Sequence, residues 1–256
     1  MARKRFDGIE LACVSALLLT LGFGAGRHFV LNYHDTFVSP RDTQWLRDRY
    51  GSLKYSENAE EWIIRDFFQD AREGTFVDIG SADARVGSNT YFLESHLGWS
   101  GIAVDALAEY APSYAKLRPR TKFFSLFVSD HSDATATMYV SRRYEQYSSA
   151  TRDFTSQYRP GDLAAREVPT VTLDDLLPRA GVTKIDFLSM DIELSEPKAL
   201  AAFDLRRYAP RLVCIEAHPQ TRQQLLDYFT ARGYTVVGKY LRLDTINLWF
   251  TPLSTS

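Results

Sequence analysis

The tightest restriction on this chain lies in residues 75–90, Thr-Phe-Val-Asp-Ile-Gly-Ser-Ala-Asp-Ala-Arg-Val-Gly-Ser-Asn-Thr. A short apolar run interrupted by one carboxylate, Asp78, gives way to small residues at Gly80, Ser81, Ala82 and Ala84. Gly87, Ser88, Asn89 and Thr90 then lead into a helical pattern. This reads as strand, tight turn, helix, which brings backbone N–H groups and a helix N-terminus close to a ligand. A second apolar strand comes next at residues 101–106, ending in Asp105 and Ala106. A carboxylate there suits a pair of ribose hydroxyls, because it can accept from both at once. The two strands describe a nucleoside-binding half-domain.

The glycine spacing narrows the nucleoside. A dinucleotide turn favours G-x-G-x-x-G, because the chain must approach a pyrophosphate closely. Here Gly80 and Gly87 are separated by six residues, and Ala84 stands where another glycine would be expected. Asp78 would repel a pyrophosphate and attract an ammonium group. A ligand joining a ribose to a cationic amino-acid tail fits better, and S-adenosylmethionine is such a ligand.

The chain of 256 residues is 45% hydrophobic and 24% charged, with formal net charge −2, enough for one sizeable α/β core. Near-neutral charge gives no sign of a nucleic-acid partner. The two cysteines, Cys13 and Cys214, form no CxxC pair or Cys/His cluster, so no zinc site is expected. The amino terminus begins with Arg3, Lys4 and Arg5, and residues 8–26 are apolar apart from Glu10. As a helix, that segment would span about 28 Å, close to a bilayer core. We expect residues 1–30 to be a basic start and membrane anchor, rather than a cleaved signal peptide or a buried or surface helix. Residues 31–74 would then be a connector with a helix covering the ligand pocket, and residues 75–256 the main domain. The basic amino side favours export of the domain downstream, but Arg27, Arg41, Arg47 and Arg49 dilute that bias. A domain using a cytoplasmic ligand is expected to face the cytoplasm.

Downstream, residues 122–128 read as a third strand ending at Ser129 and Asp130. Asp130 could accept from an adenine amino group, or simply cap a turn. Residues 141–167 are polar and aperiodic, the best candidate for a substrate lid, with Tyr144, Tyr147, Arg152 and Tyr158 as contacts. Residues 185–190 read as the fourth core strand, and Asp191, Glu193 and Glu196 cluster at its carboxyl end. Three carboxylates so close are costly to hold together without a cation or a proton. They could bind an ammonium group, serve as a general base or hold a metal, while Glu196-Pro197 also suits a helix start. The fifth strand, residues 211–218, ends in Glu216 and His218, two apart and so on one side. If strands four and five are neighbours, Asp191, Glu216 and His218 converge at one rim. Residues 234–240 and 247–251 read as a final antiparallel pair.

Strand and helix alternate along the chain, ending in that strand pair, which is the class I methyltransferase architecture. Residues 76–81, 88–93, 98–102, 171–174 and 185–193 resemble the FkbM-type methyltransferases, and Ile215, Glu216, Ala217 and His218 look like that family's fifth-strand signature. The resemblance runs from about residue 55 to 252 in the right order. It implies a Rossmann-like, mostly parallel sheet, bound S-adenosylmethionine and O-methylation of a hydroxyl, often on a sugar or secondary metabolite. Carried over, Asp78 and Gly80 match the cofactor motif, Asp105 the ribose carboxylate, and Asp191 with Glu193 the acidic fourth-strand motif. The family commonly has Asp-x-Glu-Gly-x-Glu there, whereas this chain has Leu194 for the glycine and Pro197 after the last carboxylate.

The combined expectation is a membrane-associated methyltransferase with Asp191, Glu216 and His218 as the catalytic set. Asp78, Gly80, Ser81, Ala82, Asp105, Ala106, Asp130 and Glu193 would hold S-adenosylmethionine. The acceptor would be a small molecule, glycan or lipid, with no nucleic acid; a divalent metal on Asp191, Glu216 and His218 is the lesser alternative, since mixed N/O ligands suit several ions. The rival reading is a non-catalytic membrane scaffold that keeps the fold.

Overall fold

A computed structural model describes residues 41–141, 148–158 and 163–253. Its centre is a sheet of seven strands: β1 (Thr75–Ile79), β2 (Ser100–Asp105), β3 (Thr121–Ser125), β7 (Phe187–Met190), β8 (Leu212–Glu216), β9 (Tyr234–Val236) and β10 (Asn247–Pro252). They lie side by side in the order β3-β2-β1-β7-β8-β10-β9. The first five pair in parallel, and β10 runs antiparallel between β8 and β9. This is the α/β Rossmann-like sheet with an antiparallel terminal pair that the sequence implies.

The two-residue strand period decides which side chains meet which layer. Val77, Ile79, Ile102, Val104, Leu188, Met190, Val213 and Ile215 point into one core, shared with helices Leu173–Ala180, Glu196–Ala201 and Arg222–Thr230. Their alternates Phe76, Phe187, Leu212, Cys214 and Trp249 pack on the other face, against helices Gln44–Tyr50, Glu60–Phe68 and Tyr91–Leu97. A sheet covered on both faces reads as nearly continuous hydrophobic runs, as these strands do. The chain leaves β1 towards β3 and later returns to β7 on the other side of β1. That reversal opens a crevice beyond the carboxyl ends of the strands.

The polar middle of the chain departs from expectation. The third strand does not run through to residue 128. It breaks at Leu126, and the next two residues, β4 (Phe127–Val128), join a second, three-stranded sheet with β5 (Thr135–Ser141) and β6 (Leu163–Val171). Within residues 141–167 lie a helix, Arg152–Tyr158, and the first part of β6. These segments lack an apolar period because β6 is half-exposed over much of its length and owes its form to cross-strand pairing with β5. Tyr144 and Tyr147 lie outside the described residues, as does the expected anchor at residues 8–26. Among the described residues, no helix is long and apolar enough to cross a membrane.

Candidate active site

A cleft of about 830 Å³ opens at the carboxyl ends of β1, β2, β7 and β8, within the usual range for small-molecule sites. Its floor is the turn after β1. Gly80 adopts φ +77, and a Cβ there would stand 1.6 Å from the carbonyl oxygen of Asp191, so glycine alone lets β1 and β7 end side by side. The Gly80 and Ser81 amides both donate to Val104 O, tying the turn to β2. Ala82 comes next at φ +45, its amide donating to Asp105 Oδ2 at 2.9 Å, while the Leu107 amide donates to Oδ1 at 2.8 Å. Both Asp105 oxygens thus spend one lone pair on the backbone and keep others for a ligand. Burial lifts this carboxyl to about 6, partly offset by those two amides.

Asp78, buried at the end of β1, accepts from Thr90 Oγ1 at 2.7 Å. Burial raises its pKa, against the pull of Thr90 and Arg118. Arg118 is itself sealed inside, donating to Glu94 Oε2 at 2.7 Å, to Ala84 O at 3.0 Å and to Thr90 Oγ1 at 3.0 Å. It laces the loop after Gly80 to the helix beyond it. Ala84, where the motif favours a glycine, is fully buried against Ala103 and Tyr114, so its methyl group fills space that a glycine would leave empty. Beyond Asp105 the wall turns apolar, with Ala106, Leu107, Phe127 and Met138 lining it.

The opposite end is acidic. Asp191, Glu193, Glu216 and His218 all line the cleft there. β7 and β8 are indeed parallel neighbours, which brings together residues 25 apart in sequence. His218 Nε2 lies 3.3 Å from Glu193 Oε2 and 3.0 Å from Glu216 Oε2, with the Phe154 ring edge-on at 5.1 Å. Burial would lower the histidine, but the two carboxylates outweigh it and raise it to about 10. Burial also lifts Glu193 to about 8, and lifts Glu216 and Glu196 to about 7. Asp191 opens onto the cleft yet lies deep in the protein; that depth, with the Glu216 carboxylate beside it, raises its carboxyl well above the ordinary range. Glu193 and Leu194 sit at φ +54 and +75, so Leu194 keeps the left-handed backbone for which a glycine is the usual choice.

Asp130 does not belong to this group. It stands 42% exposed, paired with His131 at 2.5 Å and Lys198 at 3.6 Å, away from the residues that line the cleft. Its neighbour Ser129 is drawn into pairing with Val171 O, which turns the chain out of the main sheet before the carboxylate. The hydrogen bond from His131 holds Asp130 below the usual carboxylate range. Arg152, at the start of helix Arg152–Tyr158, is itself exposed, while Phe154 and Thr155 of that helix are buried. Sequence reasoning missed Glu60, which lines the cleft with Tyr55, Ser56 and Asn58 from the lead-in to helix Glu60–Phe68. It is buried and lifted to about 7 by that burial, with the Asp244 carboxylate adding to the effect. An acid in a first helical turn reads as ordinary capping charge, so nothing local singled it out. Asn247, at the start of β10, also lines the cleft.

The FkbM methyltransferase domain model matches residues 78–236. No curated protein matches the chain. Among solved structures, the precorrin-6y C5,15-methyltransferase of Geobacter metallireducens is similar at 12% identity, with 69% of this chain and 70% of that one covered and a TM-score of 0.40. The 1,6-didemethyltoxoflavin-N1-methyltransferase of Burkholderia thailandensis, with bound 1,6-didemethyltoxoflavin and S-adenosylhomocysteine, is similar at 15% identity over 99% of this chain and 94% of that one, with a TM-score of 0.38.

Proposed function

The chain belongs to the FkbM methyltransferase family and uses S-adenosylmethionine, and from that premise we propose that it methylates a hydroxyl of a sugar, a lipid-linked glycan or a secondary metabolite at the acidic end of its cleft. The observation that carries this reading is the meeting of Asp191, Glu216 and His218 on one rim of the cleft whose other end holds Asp105, with Gly80 on the floor between them.

The residues present fit the donor. Ser81 Oγ is buried on the cleft wall without a hydrogen-bond partner among the described residues, an orphan that a polar ligand would satisfy. Asp105 would take the ribose hydroxyls, and Ala106, Leu107 and Phe127 would flank the base. Asp78, Gly80, Ser81 and Ala82 would surround the amino-acid tail. When bound, S-adenosylmethionine supplies a methyl group on an electrophilic sulfonium.

The rest of the work falls to the chain. Glu193 and Glu216 hold His218 by its Nε2 and keep it charged, so the histidine balances the acids instead of taking a proton. Asp191, the member of the set open to the cleft, accepts the hydroxyl proton as the acceptor becomes an ether. The hydroxyl is oriented between the β7 and β8 rims, where proximity and alignment lower the barrier. The membrane anchor at residues 8–26, with this domain on the cytoplasmic side, is part of the same proposal. A scaffold that merely keeps the fold has less to recommend it, because Ala84 and Leu194 hold the turn and loop despite the missing glycines.

Calorimetric titration with S-adenosylmethionine and S-adenosylhomocysteine tests the donor site. Binding is expected in the wild type and lost in Asp105→Ala. Asp191→Asn should keep donor binding while transfer to hydroxylic acceptors falls by about 10²-fold or more. Transfer confined to nitrogen or carbon acceptors would overturn the O-methylation reading.

A further inference from the structure

Asp191, Glu196 and Glu216 each bring one carboxylate oxygen within 4.8 Å of the other two. Ligands at about 2.1–2.5 Å from one divalent ion fall within such separations. Nearness of acids alone would carry nothing; the state of the two buried members adds to it. Glu196 is fully buried at the start of its helix, where Oε1 accepts from the Ile192 amide at 2.9 Å and Oε2 has no donor among the described residues. Glu216 is 7% exposed, and its Oε2 has no hydrogen bond among the described residues, with His218 Nε2 standing 3.0 Å away as an ion-pair partner. Native interiors rarely leave buried polar oxygens unmatched, because each orphan costs roughly 1–3 kcal/mol.

We infer that Asp191, Glu196 and Glu216 bind an oxygen-preferring divalent cation of the Mg²⁺, Mn²⁺ or Ca²⁺ class. Three carboxylate oxygens without nitrogen or sulfur select hard ions. A second trio, Glu193, Glu216 and His218, is equally close. There, however, the His218 nitrogen already faces both carboxylates, and Phe154 packs against its ring. Asp191 opens onto the cleft, so an ion on the first trio keeps positions free on that side for an acceptor hydroxyl. That last role rests on the proposed O-methylation; the ion site itself does not. Asp191 would ligate through one oxygen and keep the other for the proton.

The test uses the full chain and Mn²⁺ alone, with bound metal followed by electron paramagnetic resonance and S-adenosylhomocysteine binding measured in parallel. One tight Mn²⁺ is expected per wild-type chain. Glu196→Gln, which keeps the acceptor for Ile192, should weaken it by about ten- to a hundred-fold and leave S-adenosylhomocysteine binding unchanged. Asp191→Asn, at the open end, should weaken Mn²⁺ similarly and covers the case in which the buried variant fails to fold. A folded wild type that binds S-adenosylhomocysteine but no Mn²⁺ at millimolar concentration would overturn the site, as would variants that bind Mn²⁺ like the wild type. Mn²⁺ bound on these residues with no transfer to any hydroxyl would instead sink the reaction and keep the ion.

Discussion

At the scale of single residues, Gly80 and Gly87 separate two reasons for a glycine. Both have positive φ, +77 and +76, but an added Cβ at Gly80 meets Asp191 O while one at Gly87 meets nothing within 4 Å. Gly87→Ala should therefore cost only the left-handed strain, about 1 kcal/mol. Gly80→Ala must also push β1 and β7 apart at the point where the donor turn and the acidic loop touch. Thermal unfolding should show a small fall in Tm for the first and a much larger fall for the second, with S-adenosylhomocysteine binding lost only in the second. Equal falls would mean that the contact at Gly80 relaxes freely.

At the scale of elements, the loop after Gly80 depends on an ion pair between two residues that do not line the cleft. Arg118 comes from the end of helix Ala111–Leu117 and reaches Glu94 on helix Tyr91–Leu97, with both side chains almost wholly buried. Glu94 in turn accepts from the Arg120 amide at 2.7 Å and from the Thr121 hydroxyl. Arg118→Met should cost about 3–5 kcal/mol, because it strands a buried carboxylate. Adding Glu94→Gln should recover part of that loss, since a neutral amide tolerates burial better. Denaturant unfolding of the two single variants and the double variant checks this; a double variant as unstable as the sum of the singles would refute the coupling.

For the whole molecule, the acidic rim sets how stability varies with pH. Glu193 at about 8, and Glu60, Glu196 and Glu216 at about 7, are raised from an ordinary 4.5 first of all by burial. The folded chain thus binds more protons than the unfolded one across that interval. Their contribution is complete below about 4.5 and is lost as pH climbs through 7 to 8. His218, raised from 6.5 to about 10, acts in the same direction: its contribution is complete below 6.5 and lost as pH rises through about 10. Metal-free protein should therefore melt at a lower temperature at pH 8 than at pH 6. A Tm that rose between those pH values would refute the buried, proton-sharing rim.

The sheet, the tight turn after β1 and the two acidic strand ends were legible in the amino-acid order. A nearly continuous apolar run such as Phe76, Val77 and Ile79 around Asp78 leaves few alternatives once both faces must be buried. Polar positions carried no such constraint. The half-exposed strand Leu163–Val171 and the helix Arg152–Tyr158 have no apolar rhythm to announce them, and pairing with residues 135–141 decided the strand. Packing in three dimensions put Asp130 beside Lys198 on the surface and Glu60 inside the cleft, for a carboxylate looks the same in the chain whether it will meet solvent or protein. It also decided what the rim is chemically. Only the packing of β7 against β8 brings Glu216 and His218 to Asp191 and seals Glu196 behind them, and burial rather than residue type shifts their protons.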